Sequence, residues 1–133
     1  MKSDSINLST NSKMEFVDIS SMIQKHISKS GIMNGVCHIY NPHTTAGLTI
    51  NEGADPAVQD DIISAFKKIV PFDHPYRHQE GNSPAHILTT LTGSSVNVFI
   101  ENGSLKLGTW QRIFFTEYDG PRSRKIWCKI ITD

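Results

Sequence analysis

Six histidines, His26, His38, His43, His74, His78 and His86, carry most of the chemistry that this sequence advertises. Imidazole is the commonest metal ligand and the one side chain that titrates near neutrality without perturbation. His43 opens the run His43-Thr44-Thr45-Ala46-Gly47, whose small residues let a backbone approach a ligand closely. His78 falls in a long polar stretch and His86 at the start of the segment after it, so a fold-back would bring both rings together. Three histidines and a water make an open zinc site, with the fourth position left for substrate. Spacing alone leaves three readings: metal ligands, donors to an anion, or ordinary surface histidines. His26 reads as solvated on the polar side of a short helix, and the roles of His38 and His74 stay open.

A second group of side chains suits an anion. Arg77, Arg122 and Arg124 carry fork-shaped guanidinium groups that match phosphate or carboxylate. Arg122 and Arg124 follow a turn, where plain surface charge is the alternative. Thr44, Thr45 and Gln111 add neutral hydrogen-bonding groups. Trp110 reads as packing or a subunit contact. Glu52 ends a strand beside Gly53, placed either as a catalytic base, as an acceptor that orients a histidine, or as an ordinary exposed carboxylate.

These groups need elements to hold them. The segments Ser5–Thr10 and Met14–Ile19 read as strands around the turn-compatible Asn11-Ser12. A short helix follows from Ser20 or Ser21, with Met22, Ile23 and Ile27 on one face, the serines capping its start and Gly31 after its end. Gly35–Tyr40 and Ala46–Asn51 read as strands. Asp55 at a cap and Pro56 at the first helical position open a helix to Val70. Its apolar stripe is Val58, Ile62, Phe66 and Ile69. Asp55, Asp60 and Asp61 near its positive end complement the dipole or assist a metal. Pro71 to Pro84 is a long polar loop, a type more often functional than idle. Ser83-Pro84 and Gly93 bracket a further short helix, against the strand preference of Thr89, Thr90 and Thr92. Ser95–Glu101, a turn at Asn102-Gly103, Thr109–Glu117, a turn through Asp119-Gly120-Pro121 and Lys125–Thr132 complete a β-rich remainder. The mixture is α+β, antiparallel strands with two or three helices.

Composition narrows the classes. The chain has 133 residues, the size of one domain (1–133), with thirteen basic and thirteen acidic side chains that cancel. Without a basic block, backbone binding to nucleic acid is not expected. Cys37 and Cys128 sit in alternating apolar stretches and read as core cysteines. The polar start, Met1 to Ser12, lacks the apolar core of a signal peptide, and no apolar run is long enough to span a membrane. The expectation is a cytoplasmic protein that neither enters a membrane nor binds nucleic acid.

A family resemblance adds to this reading. The chain resembles the YjbQ-like family (UPF0047) along nearly its whole length. The likeness rests on His43-Thr44-Thr45-Ala46-Gly47-Leu48-Thr49-Ile50-Asn51-Glu52, Asp55-Pro56, Tyr76-Arg77-His78, Asn82, Ala85-His86 and Gly93-Ser94-Ser95. It continues through Asn102-Gly103-Ser104-Leu105, Leu107-Gly108-Thr109-Trp110-Gln111 and Asp119-Gly120-Pro121-Arg122-Ser123-Arg124. The resemblance implies an antiparallel sheet or sandwich assembled as a homotrimer, with metal or anion sites near the interfaces. It implies His43, His78 and His86 as ligands of a divalent metal, zinc by ligand type or magnesium. It also implies weak thiamine-phosphate synthase activity, joining hydroxymethylpyrimidine diphosphate to thiazole phosphate. Glu52 and His86 are then the catalytic candidates. Thr44, Thr45, Arg77, Gln111 and Arg122 are the candidates for holding a phosphorylated small molecule. A metal-dependent hydrolase and a non-catalytic metal- or metabolite-binding trimer are the competing readings.

Overall fold

The computed structural model describes residues 3–133; Met1 and Lys2, part of the polar N-terminus, lie outside the described residues. Its elements in chain order are β1 (Ser3–Ser9), β2 (Glu15–Asp18), α1 (Ser20–Ser30), β3 (Gly35–Tyr40), β4 (Ala46–Glu52), α2 (Pro56–Ile69), α3 (Ser83–Thr92), β5 (Ser95–Glu101), β6 (Ser104–Leu105), β7 (Gln111–Glu117) and β8 (Ser123–Thr132). Two antiparallel sheets result. One has the order β1-β8-β3-β5-β6 and the other β2-β7-β4. Strand alternation explains the core between them. On β8, Arg124, Ile126, Cys128 and Ile130 turn inward while Lys125, Trp127 and Lys129 turn out. They meet Ile39 and Cys37 of β3, Val98 and Ile100 of β5, Leu48 of β4 and Ile113 and Phe115 of β7, with Ile23 and Ile27 of α1.

Several local expectations needed correction. The two strands flanking Asn11-Ser12 join different sheets: β1 pairs with β8 and β2 with β7. The serines do not cap α1. Its N-cap is Ile19, and the Ser20 hydroxyl instead accepts the N–H of Ile113, tying the helix start to β7. The stripe on α2 is only half covered: Phe66 packs toward Val70, Ala85, Leu88 and Tyr118, while Ile69 stays exposed. The short β6 was missed altogether. Asn102 and Gly103 take φ of 54° and 78° in the tight turn before it. β8 begins two residues earlier than the turn chemistry suggested, which changes the standing of Arg124. In the Thr-rich α3, Thr89, Thr90 and Thr92 return their hydroxyls to the carbonyls of Ala85, His86 and Leu88, so these groups are satisfied inside the helix.

Other expectations match. Asp55 accepts the N–H of Ala57 at 3.0 Å at the start of α2, and Gly31 closes α1 with φ 73°. Gly47 is demanded by proximity. A side chain there would lie 2.9 Å from the carbonyl oxygen of Gly93, where β4 passes the end of α3. No helix among the described residues is long and apolar enough to cross a membrane.

Candidate functional site

β3 ends at Tyr40, and the chain turns through Asn41 to Thr45 into β4. Asn41 is buried and builds this turn. Its Oδ1 accepts the N–H of His43 at 2.9 Å, and its amide donates to the carbonyl of Ala46. The turn leaves the N–H of Lys125 on β8 without a β3 partner, and the His43 ring takes it: Nε2 accepts that N–H at 2.9 Å. A neutral imidazole has one lone pair, so the proton sits on Nδ1, which becomes a donor. Burial and the neighbouring guanidinium of Arg124 push the His43 pKa down, favouring that neutral form.

Arg124 is 4% exposed and faces this turn from the first residues of β8. Its Nε donates to Oε1 of Glu117 at 2.7 Å, and its Nη2 donates to Oε2 of the same carboxylate. Nη2 also donates to the carbonyl and the hydroxyl of Thr45, at 3.2 and 3.0 Å. Nη1 has no partner among the described residues. Glu117 is fully buried. Burial pushes its pKa up, but hydrogen bonds from Arg124, the Asp119 N–H and the Thr10 hydroxyl outweigh it and leave the net pKa lowered. One carboxylate thus fixes the orientation of one guanidinium.

A second pair lies beside it. Arg122 Nη2 is 3.2 Å from Oδ2 of Asp119, which also accepts the Asn82 amide at 3.0 Å. Asp119 is an acceptor only, so Asn82 must point its amide nitrogen there. Its Oδ1 is left buried and unmatched. His86 on the first turn of α3 meets His78 from the loop edge to face, with ring centroids 5.4 Å apart, and Glu80 lies 3.9 Å from His78 Nε2.

These groups wall one cavity of about 410 Å³, lined by Pro42, His43, Thr44, Thr45, His78, Glu80, Asn82, His86, Arg122 and Arg124. Glu117 and Asp119 are not in its wall. Arg122 and Arg124 thus line the cavity without their carboxylate partners, and Glu80 beside His78 is the one acidic residue in the wall. The arrangement can receive an anion. As the side chains stand, no three His, Cys, Asp or Glu residues among the described residues converge as a metal cage. The lone pair of His43 is already engaged, which leaves His78 and His86 as the adjacent pair of rings.

The sequence-derived candidates divide accordingly. His43, Thr44, Thr45, His78, His86 and Arg122 come together. Glu52 and Gln111 do not: they pair with each other at the opposite end of β4 and β7, about 20 Å from Thr45 at ordinary strand rise. Gln111 instead accepts the N–H of Gly108 with its side chain. Arg77 is exposed in the loop and does not line the cavity. Glu80, Asn82 and Glu117 were missed as site residues, and Arg124, read as an anion donor or as surface charge, is in the wall. The alternation of Arg124, Ile126, Cys128 and Ile130 with Lys125, Trp127 and Lys129 is the one available signal that Arg124 points inward.

A two-sheet α+β fold with a guanidinium- and histidine-lined cavity at one end of the strands is the class that these features define. Comparison with known proteins places it more narrowly. The model of the UPF0047 protein YjbQ-like family matches residues 4–133. The chain is similar to UPF0047 protein MJ1081 of Methanocaldococcus jannaschii, 49% identical over 126 residues, covering 95% of this chain and 91% of that protein. It is 43% identical to UPF0047 protein YugU of Bacillus subtilis, covering 95% and 96% of the two chains. Among solved structures, a YjbQ/UPF0047 family protein of Clostridium acetobutylicum superposes with a TM-score of 0.93 at 50% identity, covering 96% of this chain and 99% of that one. A protein of Aeropyrum pernix gives 0.93 at 32% identity over the full length of both chains. The chain belongs to the UPF0047 YjbQ-like family.

Proposed function

We propose that the cavity binds the phosphate or diphosphate end of a phosphorylated small molecule, and that the protein acts on it as a transferase of the thiamine-phosphate synthase kind. The observation that carries the reading is Arg124, a buried guanidinium held on two sides by Glu117 and Thr45 and open toward the cavity. A preorganised donor of this kind costs no reorganisation when charge develops opposite it. In the proposed reaction the thiazole nitrogen bonds to the methylene carbon of the pyrimidine, the carbon–oxygen bond to diphosphate breaks, and diphosphate leaves with the electron pair. Arg122 and Arg124 face the departing charge, while His43 Nδ1–H and the hydroxyls of Thr44 and Thr45 supply neutral donors. His78 and His86, with Glu80 beside them, would hold a divalent cation, zinc by ligand type or magnesium. Such a cation would supply further neutralisation of the leaving group.

Self-association belongs to the same reading. The outer face of the five-stranded sheet presents Tyr40 stacked on Trp127 at 5.8 Å, with Phe99 at 65% and Trp127 at 42% exposure. Exposed apolar patches of this kind mark interaction surfaces. Copies of the same chain, in the trimer that the family resemblance implies, are the proposed occupants.

Purified protein given both precursors, with zinc or magnesium, is expected to release diphosphate and form thiamine phosphate, and Arg122→Ala and His86→Ala are expected to lose that activity. Equal product from wild type and both variants overturns the reading. Tight retention of diphosphate without turnover selects the binding-only alternative, and hydrolysis of simple phosphate esters selects the hydrolase.

A further inference from the structure

Cys37 and Cys128 take no part in the cavity, yet the fold brings them together. Both are fully buried, and their Sγ atoms are 3.3 Å apart. They are diagonal neighbours on adjacent strands: Cys37 stands opposite Ile130 and Cys128 opposite Ile39, all facing the core. We propose that Cys37 and Cys128 are a disulfide-forming pair that, on two-electron oxidation, staples β3 to β8. A disulfide holds its sulfurs at about 2.05 Å, so about 1.2 Å of closure is needed, without any change of register. The pair is also chemically unequal. Its mutual hydrogen bond and burial push the Cys37 thiol up, while the same hydrogen bond draws Cys128 down against burial.

The co-reactant is a hydroperoxide. One of the two cysteines, as its thiolate, attacks the terminal oxygen, forming an S–O bond and breaking the O–O bond, and the alkoxide or hydroxide leaves and takes up a proton. The sulfur of the other cysteine then attacks the sulfenic sulfur; the S–S bond forms, the S–O bond breaks, and water departs with that second thiol's proton. Two thiols and one hydroperoxide become one disulfide, one water and one alcohol, or a second water from hydrogen peroxide. The bond joins the two strands that deliver the cavity: β3 runs directly into Asn41–His43, and β8 starts with Ser123 and Arg124. Both thiols lie in the core, so the oxidant enters through local opening and the reaction takes hours rather than seconds.

The test is to incubate the full chain with hydrogen peroxide, unfold it in the presence of an alkylating reagent, and map its peptides by mass spectrometry. The expected result is a monomeric chain lighter by two hydrogens, unalkylated, with one peptide cross-link between Cys37 and Cys128 that dithiothreitol reverses. The Cys37→Ala variant is expected to leave Cys128 without that cross-link. Both thiols recovered alkylated, either one found only as sulfinic acid, or cross-links found only between chains would each overturn the proposal.

Discussion

Arg124 owes its place at the cavity to Glu117, and the reverse also holds. Removing one member of a buried ion pair strands the other, at about 3–5 kcal/mol. Glu117→Ala is therefore expected to lose that much unfolding free energy in denaturant titration. A loss below 1 kcal/mol, about the ceiling for a surface pair, would mean that the pair is effectively solvated. The direction of the Glu117 pKa adds a pH test. The folded-state pKa lies below the unfolded carboxylate value of about 4.3. The stabilisation is complete above the unfolded value and disappears as pH falls through the folded one, because the unfolded chain then binds the proton first. The unfolding free energy measured across that acid window is expected to fall with pH more steeply for wild type than for Glu117→Gln. Parallel curves would show that the carboxylate is not held ionised by its partners.

At the scale of elements, the close pass of β4 by the end of α3 sets the cavity wall. Gly47→Ala places a methyl group against the Gly93 carbonyl and Thr116. The expected cost is about 1–3 kcal/mol, seen as a lower denaturation midpoint; an unchanged midpoint would mean that the junction yields freely. Most elements were legible in the sequence because their signals are local: Asp55-Pro56 for α2, Gly31 for the end of α1, Asn102-Gly103 for a tight turn. Partners across sheets were not. Asn11-Ser12 looks like a hairpin turn, but Ile6 and Leu8 have their place against β8, so burial overrode the turn preference. The histidine set was legible through residue type and resemblance. Arg124 was obscured by a strand boundary two residues off, and Glu117 by looking like any strand-end acid. Glu52 shows the reverse error: adjacency to the His43 motif in sequence became separation along an extended strand.

For the whole molecule, the uncovered face of the five-stranded sheet predicts association. The double variant Phe99→Glu, Trp127→Glu is expected to sediment as a smaller species than wild type. Equal sedimentation of the two would move the contact elsewhere. The central claim remains the anion pocket, and calorimetric titration of inorganic diphosphate tests it most directly. The comparison is among wild type, Arg124→Lys, which keeps a cation beside Glu117 but loses the guanidinium fork, and Arg112→Ala, which lies at the other end of β7. A charge-assisted hydrogen bond contributes about 1.5–3 kcal/mol, or roughly 10- to 100-fold in affinity. Arg124→Lys is expected to bind diphosphate weaker by that factor while Arg112→Ala binds as wild type does. Equal affinity for wild type and Arg124→Lys, or loss in Arg112→Ala alone, would contradict the account.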